Sequence, residues 1–267
     1  MRRPAAIIAC AVGLLLATCA PASAAGLTPE QRHRADQLVS LFENDTPEIQ
    51  YCYIENIGDG RGYTAGRAGF TTATADLLEV AERYSRAVGD NALSPFLPRL
   101  REVAAQESDS TDGLEGLPDA WREACQDPRQ TAVQDGLVDD FYYNPAIARA
   151  RKLGLKQPLS LAELYDAEIQ HGGGDDPDGT PAMIKRATRK AGGSPRRGKV
   201  AESRWLKAFL KVRRATLNNA HDPSTRAAWR DSVYRVDAFD YLVRTRQWKL
   251  AAPVKLRTRQ YPGVELR

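Results

Sequence analysis

Apolar residues recur at helical spacing along most of the chain and at strand spacing almost nowhere. Ala35, Leu38 and Phe42 mark one face of a first helix. It opens at Thr28-Pro29-Glu30-Gln31, with a threonine cap, proline in the first position and glutamine three after the cap. It ends near Asn44, because Asp45-Thr46-Pro47 cannot continue it. Leu77, Ala81, Tyr84 and Val88 define a second helix, and residues 95–105 an amphipathic third. Residues 118–143 hold one or two more. Asn144-Pro145 starts a helix that Gly154 stops. Ser160-Leu161-Ala162-Glu163 reads as a capping box that opens a helix with Leu164, Tyr165 and Ile169 inward. Thr180-Pro181 starts another. Residues 200–219 form a long helix with Leu206, Phe209, Leu210 and Leu217 on its apolar side. Asp222-Pro223 opens the last, which runs through Trp229, Val233, Val236 and Leu242. The clearest break is the linker at residues 191–198, and residues 253–266 alternate weakly, like an edge strand. The pattern predicts eight to ten helices with little strand, a mainly α (α+β) fold.

One stretch departs from this pattern. Residues 51–70, YCYIENIGDGRGYTAGRAGF, hold five glycines, two acids, two arginines and four aromatic residues. Gly58 and Gly60 free the backbone on both sides of Asp59. Arg61, Tyr63 and Thr64 follow at once. This suits either a tight turn in which Asp59 bonds its own backbone or a site that presents a carboxylate.

Composition adds a compartment. A charged start at Arg2-Arg3, an apolar run from Ala5 to Ala17 and Ala22-Ser23-Ala24 read as a secretory signal at residues 1–24. The apolar run is too short to span a bilayer, and no later segment does. Residues 25–267 then form one large domain or two lobes, exported and extracellular. Cys10 and Cys19 leave with the signal. Cys52 and Cys125 remain, and in an oxidising compartment they read as a disulfide, with two buried free thiols as the alternative.

Charge is divided along the chain. Residues 25–184 carry 14 Lys and Arg against 28 Asp and Glu, whereas residues 185–267 carry 22 against 6. The acidic part suits a cationic ligand. The basic part lacks the aromatic and glycine interleaving of nucleic-acid segments, so nucleic acid is not expected as a partner. Its simplest reading is that the two parts pack with their charges facing each other or solvent. Asp175, Asp176 and Asp178 lie near Gly179, but Gly174 and Lys185 fall where a calcium loop needs its first and last ligands. No metal or organic cofactor is expected.

Two acids stand out as a pair. Glu43 falls in the last turn of the first helix, where the negative end of the dipole favours an uncharged carboxyl. Asp59 lies sixteen residues on, across the glycine hinge. Paired carboxylates are the tools of glycoside hydrolysis: one protonates the leaving oxygen and one activates water or attacks the sugar.

The wording of these segments is more specific than their spacing. Glu43-Asn44, the run YIENIGDGRGYT from Tyr53 to Thr64, Gly69-Phe70 and Asp76-Leu77 resemble glycoside hydrolase family 46, the chitosanases. The similarity continues in order at Tyr165-Asp166-Ala167, His171-Gly172, Phe209-Leu210 with Arg213, and Arg235-Val236-Asp237. It implies a lysozyme-like fold, two helical lobes with a small β element flanking a substrate cleft. It also implies an inverting, endo-acting enzyme on chitosan. Glu43 matches the general acid and Asp59 the general base. Thr64 matches the hydroxyl that places the attacking water, and Arg61 and Asp76 match substrate contacts. Tyr53 and Glu55 match cleft residues near the base, and His171 one that shapes the cleft. Asp166, Arg213 and Arg235 match a buried charge network behind the acid, Arg235 being preferred to Arg226 for its Arg-Val-Asp context.

Two rivals remain at this stage. A lysozyme-like hydrolase of peptidoglycan or chitin shares the paired carboxylates but needs no ammonium-binding acids. A non-catalytic binder of cell-wall polymer would use the basic last third. Otherwise the chain is expected to act as a monomer on chitosan, with no membrane partner after the signal is removed.

Overall fold

The computed structural model describes residues 26–267, save Ser224 and the side chain of Arg197; the expected export signal at residues 1–24 therefore lies outside the described residues. Helix α1 (Pro29–Asn44) starts where its capping box directs. Gln31 N donates to Thr28 Oγ1 at 3.3 Å, and Thr28 N donates to Gln31 Oε1 at 3.0 Å. Ala35, Leu38, Leu41 and Phe42 are buried, and Asp45 ends the helix in the left-handed conformation.

A small antiparallel sheet follows: β1 (Ile54–Asn56), β2 (Tyr63–Ala65) and β3 (Phe70–Thr71), in that order, with Glu55 opposite Thr64 and Thr64 opposite Thr71. The turn between β1 and β2 carries Gly58 at φ 71° and Gly60 at φ 78°, which a residue with a Cβ adopts only under strain. Helices α2 (Asp76–Val88), α3 (Leu97–Ala105), α4 (Leu117–Ala124) and α5 (Pro128–Val138) pack with this sheet as the first lobe. The disulfide Cys52–Cys125 joins its edge to the end of α4. Trp121 Nε1 and Gln134 Nε2 both donate to Tyr51 O at 3.0 Å, which fixes the chain entering β1.

A turn of π-helix, Asp139–Tyr143, leads into α6 (Asn144–Leu153), which Gly154 closes. Helix α7 (Pro158–His171) is buried on nearly every face, as a helix does when others surround it. It touches α1, α6, α8 (Thr180–Ala191) and α11 (Tyr234–Arg244), with α9 (Glu202–Asn218) and α10 (Arg226–Asp231) completing the second lobe. A two-stranded hairpin, β4 (Val254–Leu256) with β5 (Val264–Leu266), closes the chain.

Four expectations change. The capping box at Ser160 is not one: the helix begins earlier at Pro158, and Ser160 and Glu163 are fully buried within it. The expected last helix from Asp222 is two helices, α10 and α11, separated at Ser232 and Val233. The tail pairs with itself instead of forming a lone edge strand. Among the described residues there are eleven α-helices, not eight to ten, because the expected last helix divides while the region 118–143 holds two.

Candidate active site

Helix α1 and the sheet face each other across a cleft of about 360 Å³. Asp36, Val39, Ser40 and Glu43 line it from α1; Tyr53, Arg61 and Thr64 line it from the sheet. Tyr142 of the π-turn and Tyr165 and Ile169 of α7 form its floor. A larger cavity of about 720 Å³ lies elsewhere, around Trp248 and Glu202, and brings no pair of carboxylates together.

Glu43 stands one residue from the end of α1, where the last carbonyls of a helix lack partners. Tyr261 Oη donates to Leu41 O at 3.1 Å and Tyr234 Oη to Phe42 O at 2.8 Å, so this helix end is held firmly. The Glu43 side chain stays 39 % exposed and bonds Arg235 Nη2 of α11.

Behind that bond runs a chain of alternating charges. Arg235 Nη1 donates to Asp166 Oδ1 at 3.2 Å, and Arg213 Nη2 lies 2.6 Å from Asp166 Oδ2. Arg213 Nη1 donates to Glu163 Oε1 at 3.0 Å. Asp166, Arg213 and Glu163 are fully buried, so the Asp166 and Arg213 charges depend on each other and on the groups around them. Arg226, the alternative to Arg235, instead bonds the carbonyl of Ala220. His171 packs behind the network: Arg213 Nε donates to its Nε2 at 3.4 Å, and its ring meets Trp229 edge-on. Burial, with the charges of Arg213 and Arg235, holds the His171 imidazolium well below its usual range.

Glu163 was not anticipated as part of this chain, because at three residues from Ser160 it imitates a helix-capping glutamate. Burial pushes its carboxyl up to about 8, against the opposing pull of Arg213. The Pro158 at the true helix start was the signal that could have exposed the error.

Asp59 sits on the exposed glycine turn whose Ile57 and Arg61 line the cleft, though Asp59 itself does not. Arg61 Nε donates to Asp59 Oδ2 at 2.8 Å, Nη2 to the same oxygen at 2.5 Å, and Arg61 N to Oδ1 at 3.1 Å. The stretch thus forms the tight turn in which Asp59 accepts from the backbone two residues on. The hydrogen bond from the Arg61 side chain is the main reason the Asp59 carboxyl is held below its usual range.

Thr64 is buried with its hydroxyl unpartnered at the cleft wall. Tyr53 Oη donates to Glu55 Oε2 at 3.2 Å. Asp76 uses one oxygen, Oδ1, to accept from Thr71 N, Thr74 Oγ1 and Leu77 N, at 2.7, 2.7 and 3.0 Å. This anchors the carboxylate at the first turn of α2. Oδ2 makes no hydrogen bond to the described residues. Burial first, then the charges of Asp76 and Glu43, push the Tyr142 phenol up, so this ring lies within the field of both carboxylates. Tyr142 was not singled out from sequence, where nothing distinguishes it from Tyr143.

A second ionic cluster closes the inner end of the cleft. Arg67 of the turn after β2 reaches Asp36 of α1 at 2.7 Å and bonds Asp135 of α5. Asp36 also accepts from Arg32 Nε at 3.0 Å and from Tyr165 Oη at 2.8 Å.

A carboxylate in the wall of an open cleft, with a second carboxylate held by an arginine of the opposite wall, suits glycoside hydrolysis. The family model of glycosyl hydrolase family 46 matches residues 37–254. The chain is 49% identical over 238 residues to a chitosanase of Bacillus subtilis (strain 168), covering 89% of this chain and 86% of that protein. It is 35% identical to a chitosanase of Streptomyces sp. (strain N174), over 86% of this chain and 84% of the other. The native chitosanase of Bacillus subtilis MY002 superposes with a TM-score of 0.80 at 48% identity, over 91% of this chain and 100% of its own. A family 46 chitosanase of Gynuella sunshinyii in complex with chitotetraose gives 0.78 at 49% identity, over 90% and 99%. The chain belongs to glycosyl hydrolase family 46 and is a glycoside hydrolase.

Proposed function

We propose that this enzyme is an exported endo-chitosanase that cleaves β-1,4 bonds between glucosamine residues with inversion. Glu43 protonates the glycosidic oxygen as it leaves. Asp59 takes a proton from a water that attacks the anomeric carbon from the opposite face. Thr64 Oγ1 positions that water. Asp59 starts as an ionised acceptor because Arg61 grips it, and Arg61 must loosen that grip as the carboxylate turns to the water. The free Oδ2 of Asp76 receives a glucosamine ammonium in a charge-assisted bond. Tyr53, Glu55 and Arg61 hold neighbouring sugars.

The arginine chain explains how Glu43 is positioned. Arg235 is shared between Glu43 and the buried Asp166, so the guanidinium is fixed from behind and orients the Glu43 carboxyl toward the cleft. His171 supports this chain from behind.

The observation that carries the reading is that Glu43 and Arg61, which holds Asp59, line one cleft, in a chain 49% identical to a protein named chitosanase. The test is digestion of a defined glucosamine hexamer, with product lengths and anomeric configuration read by NMR. Internal cleavage to α products is expected. Retained β configuration sinks inversion, and faster cleavage of the fully acetylated hexamer sinks the choice of substrate.

A further inference from the structure

The basic last part of the chain does not discharge itself against the acidic first part. Among the described residues, only Arg213 and Arg235 carry ion pairs from residues 185–267 to acids of residues 25–184. The excess collects on one hairpin, α8 and α9. Residues 180–218 hold twelve Lys and Arg and a single acid, Glu202.

That acid is already engaged. Both Glu202 oxygens accept from Lys156 N, at 3.1 and 3.0 Å, and Oε1 also from Gln157 N at 2.8 Å. Arg186 is likewise taken by Pro177 O and Thr216 Oγ1, and Arg214 by Asp237 and Asp240. What remains exposed is Lys185, Arg189 and Lys190 on α8, and Arg204, Lys207 and Lys211 on α9, none in an ion pair with a described residue. Lys185 and Arg189 are one helical turn apart, as are Lys207 and Lys211, so each helix carries a row of charge about 6 Å per step. The two helices pack together. Arg204 reaches back far enough that a Cβ on Gly192, the cap of α8, would lie 3.9 Å from its Nη2.

Unpaired like charges on adjacent helices repel one another and cost stability unless an anion covers them. This face cannot serve the substrate proposed above, because protonated glucosamine carries the same sign. It also offers nothing for base stacking: Trp205 and Phe209, the aromatic residues of the hairpin, are stacked on each other and fully buried. No exposed apolar side chain on it suits insertion into lipid.

We propose that the exposed face of the α8–α9 hairpin is a docking surface for a linear polymer bearing regularly repeated phosphate charges. It holds the enzyme on an anionic surface polymer and leaves the acidic cleft free for a cationic chain. Binding is by counterion release, with no sequence or sugar read.

The probe is long-chain inorganic polyphosphate, titrated against the mature enzyme over a series of salt concentrations. The variant is K185Q/R189Q/K207Q/K211Q, with K249Q/R244Q/R257Q/R259Q as a control of equal charge. The hairpin variant should bind at least about tenfold more weakly, with a salt slope shallower by roughly 3, while hydrolysing glucosamine hexamer at the wild-type rate. The control should lose much less. Equal losses in the two variants, or no wild-type binding at about 0.1 M salt, overturn the proposal. So does a duplex DNA of matched charge that binds as tightly as polyphosphate, which would make the face a nucleic-acid surface.

Discussion

Arg235 on α11 bonds Glu43 at the end of α1, 192 residues earlier in the chain, and is the only link between that carboxyl and the buried charges of α7 and α9 among the described residues. Glu43 is therefore positioned from the second lobe, and Asp59 from the turn of the first.

Removing either carboxylate isolates this division. Glu43→Gln and Asp59→Asn should each lower kcat on chitosan by about 10²–10⁴-fold, the usual worth of a proton-transfer group. The melting temperature should barely change, since both side chains reach solvent. A near wild-type rate for either variant removes that residue from the mechanism.

Arg213 separates scaffolding from chemistry. Arg213→Ala leaves Glu163 and Asp166 buried beside an empty site and should cost about 3–5 kcal/mol of stability by denaturant titration. Arg213→Lys keeps the charge but loses the planar fork. If the lysine variant folds with an unchanged rate and pH profile, the network has no part in tuning Glu43.

Arg61 is the chief partner of the Asp59 carboxylate. Its side chain holds the Asp59 carboxyl low, so Asp59 keeps its charge as pH falls. In Arg61→Ala, the acid limb of the kcat/KM profile on a short oligomer should move to higher pH. An unmoved limb assigns the limb to another group.

Glu163 makes stability depend on pH in an unusual direction. Its folded-state carboxyl titrates at about 8, above the unfolded value near 4.5, chiefly because it is buried. The folded state then binds the extra proton, so stability is greatest below the unfolded value and declines as pH rises toward 8. Glu163→Gln should flatten that decline in melting temperature. An unchanged slope would mean that Glu163 is ionised in the fold.

Much of this was legible in the sequence, for local reasons. The box at Thr28, the glycines around Asp59 and the cysteine pair each act through neighbours or through known chemistry, and all three stand where expected. What was hidden depends on distant partners. Glu163 resembles a cap until Arg213 arrives from α9. Arg67 looks like one more charge in a glycine-rich loop, yet it joins α1 to α5 across the cleft. Asp76, matched by resemblance to a substrate contact, also caps a helix in a way the sequence does not spell out: Oδ1 takes three bonds at the first turn of α2, and Oδ2 bonds no described residue.

Asp36 and Glu43 are seven residues apart on α1, with Val39 and Ser40 between them on the same cleft wall. Seven residues are almost two whole turns, so one helix face delivers Asp36 to Arg67 and Glu43 to Arg235 at once. A single residue inserted or deleted between them would swing one anchor by about 100° relative to the other. This segment should tolerate changes of side chain far better than changes of length. The surface loop at residues 106–116, which holds no such pair, is where natural and engineered insertions should accumulate.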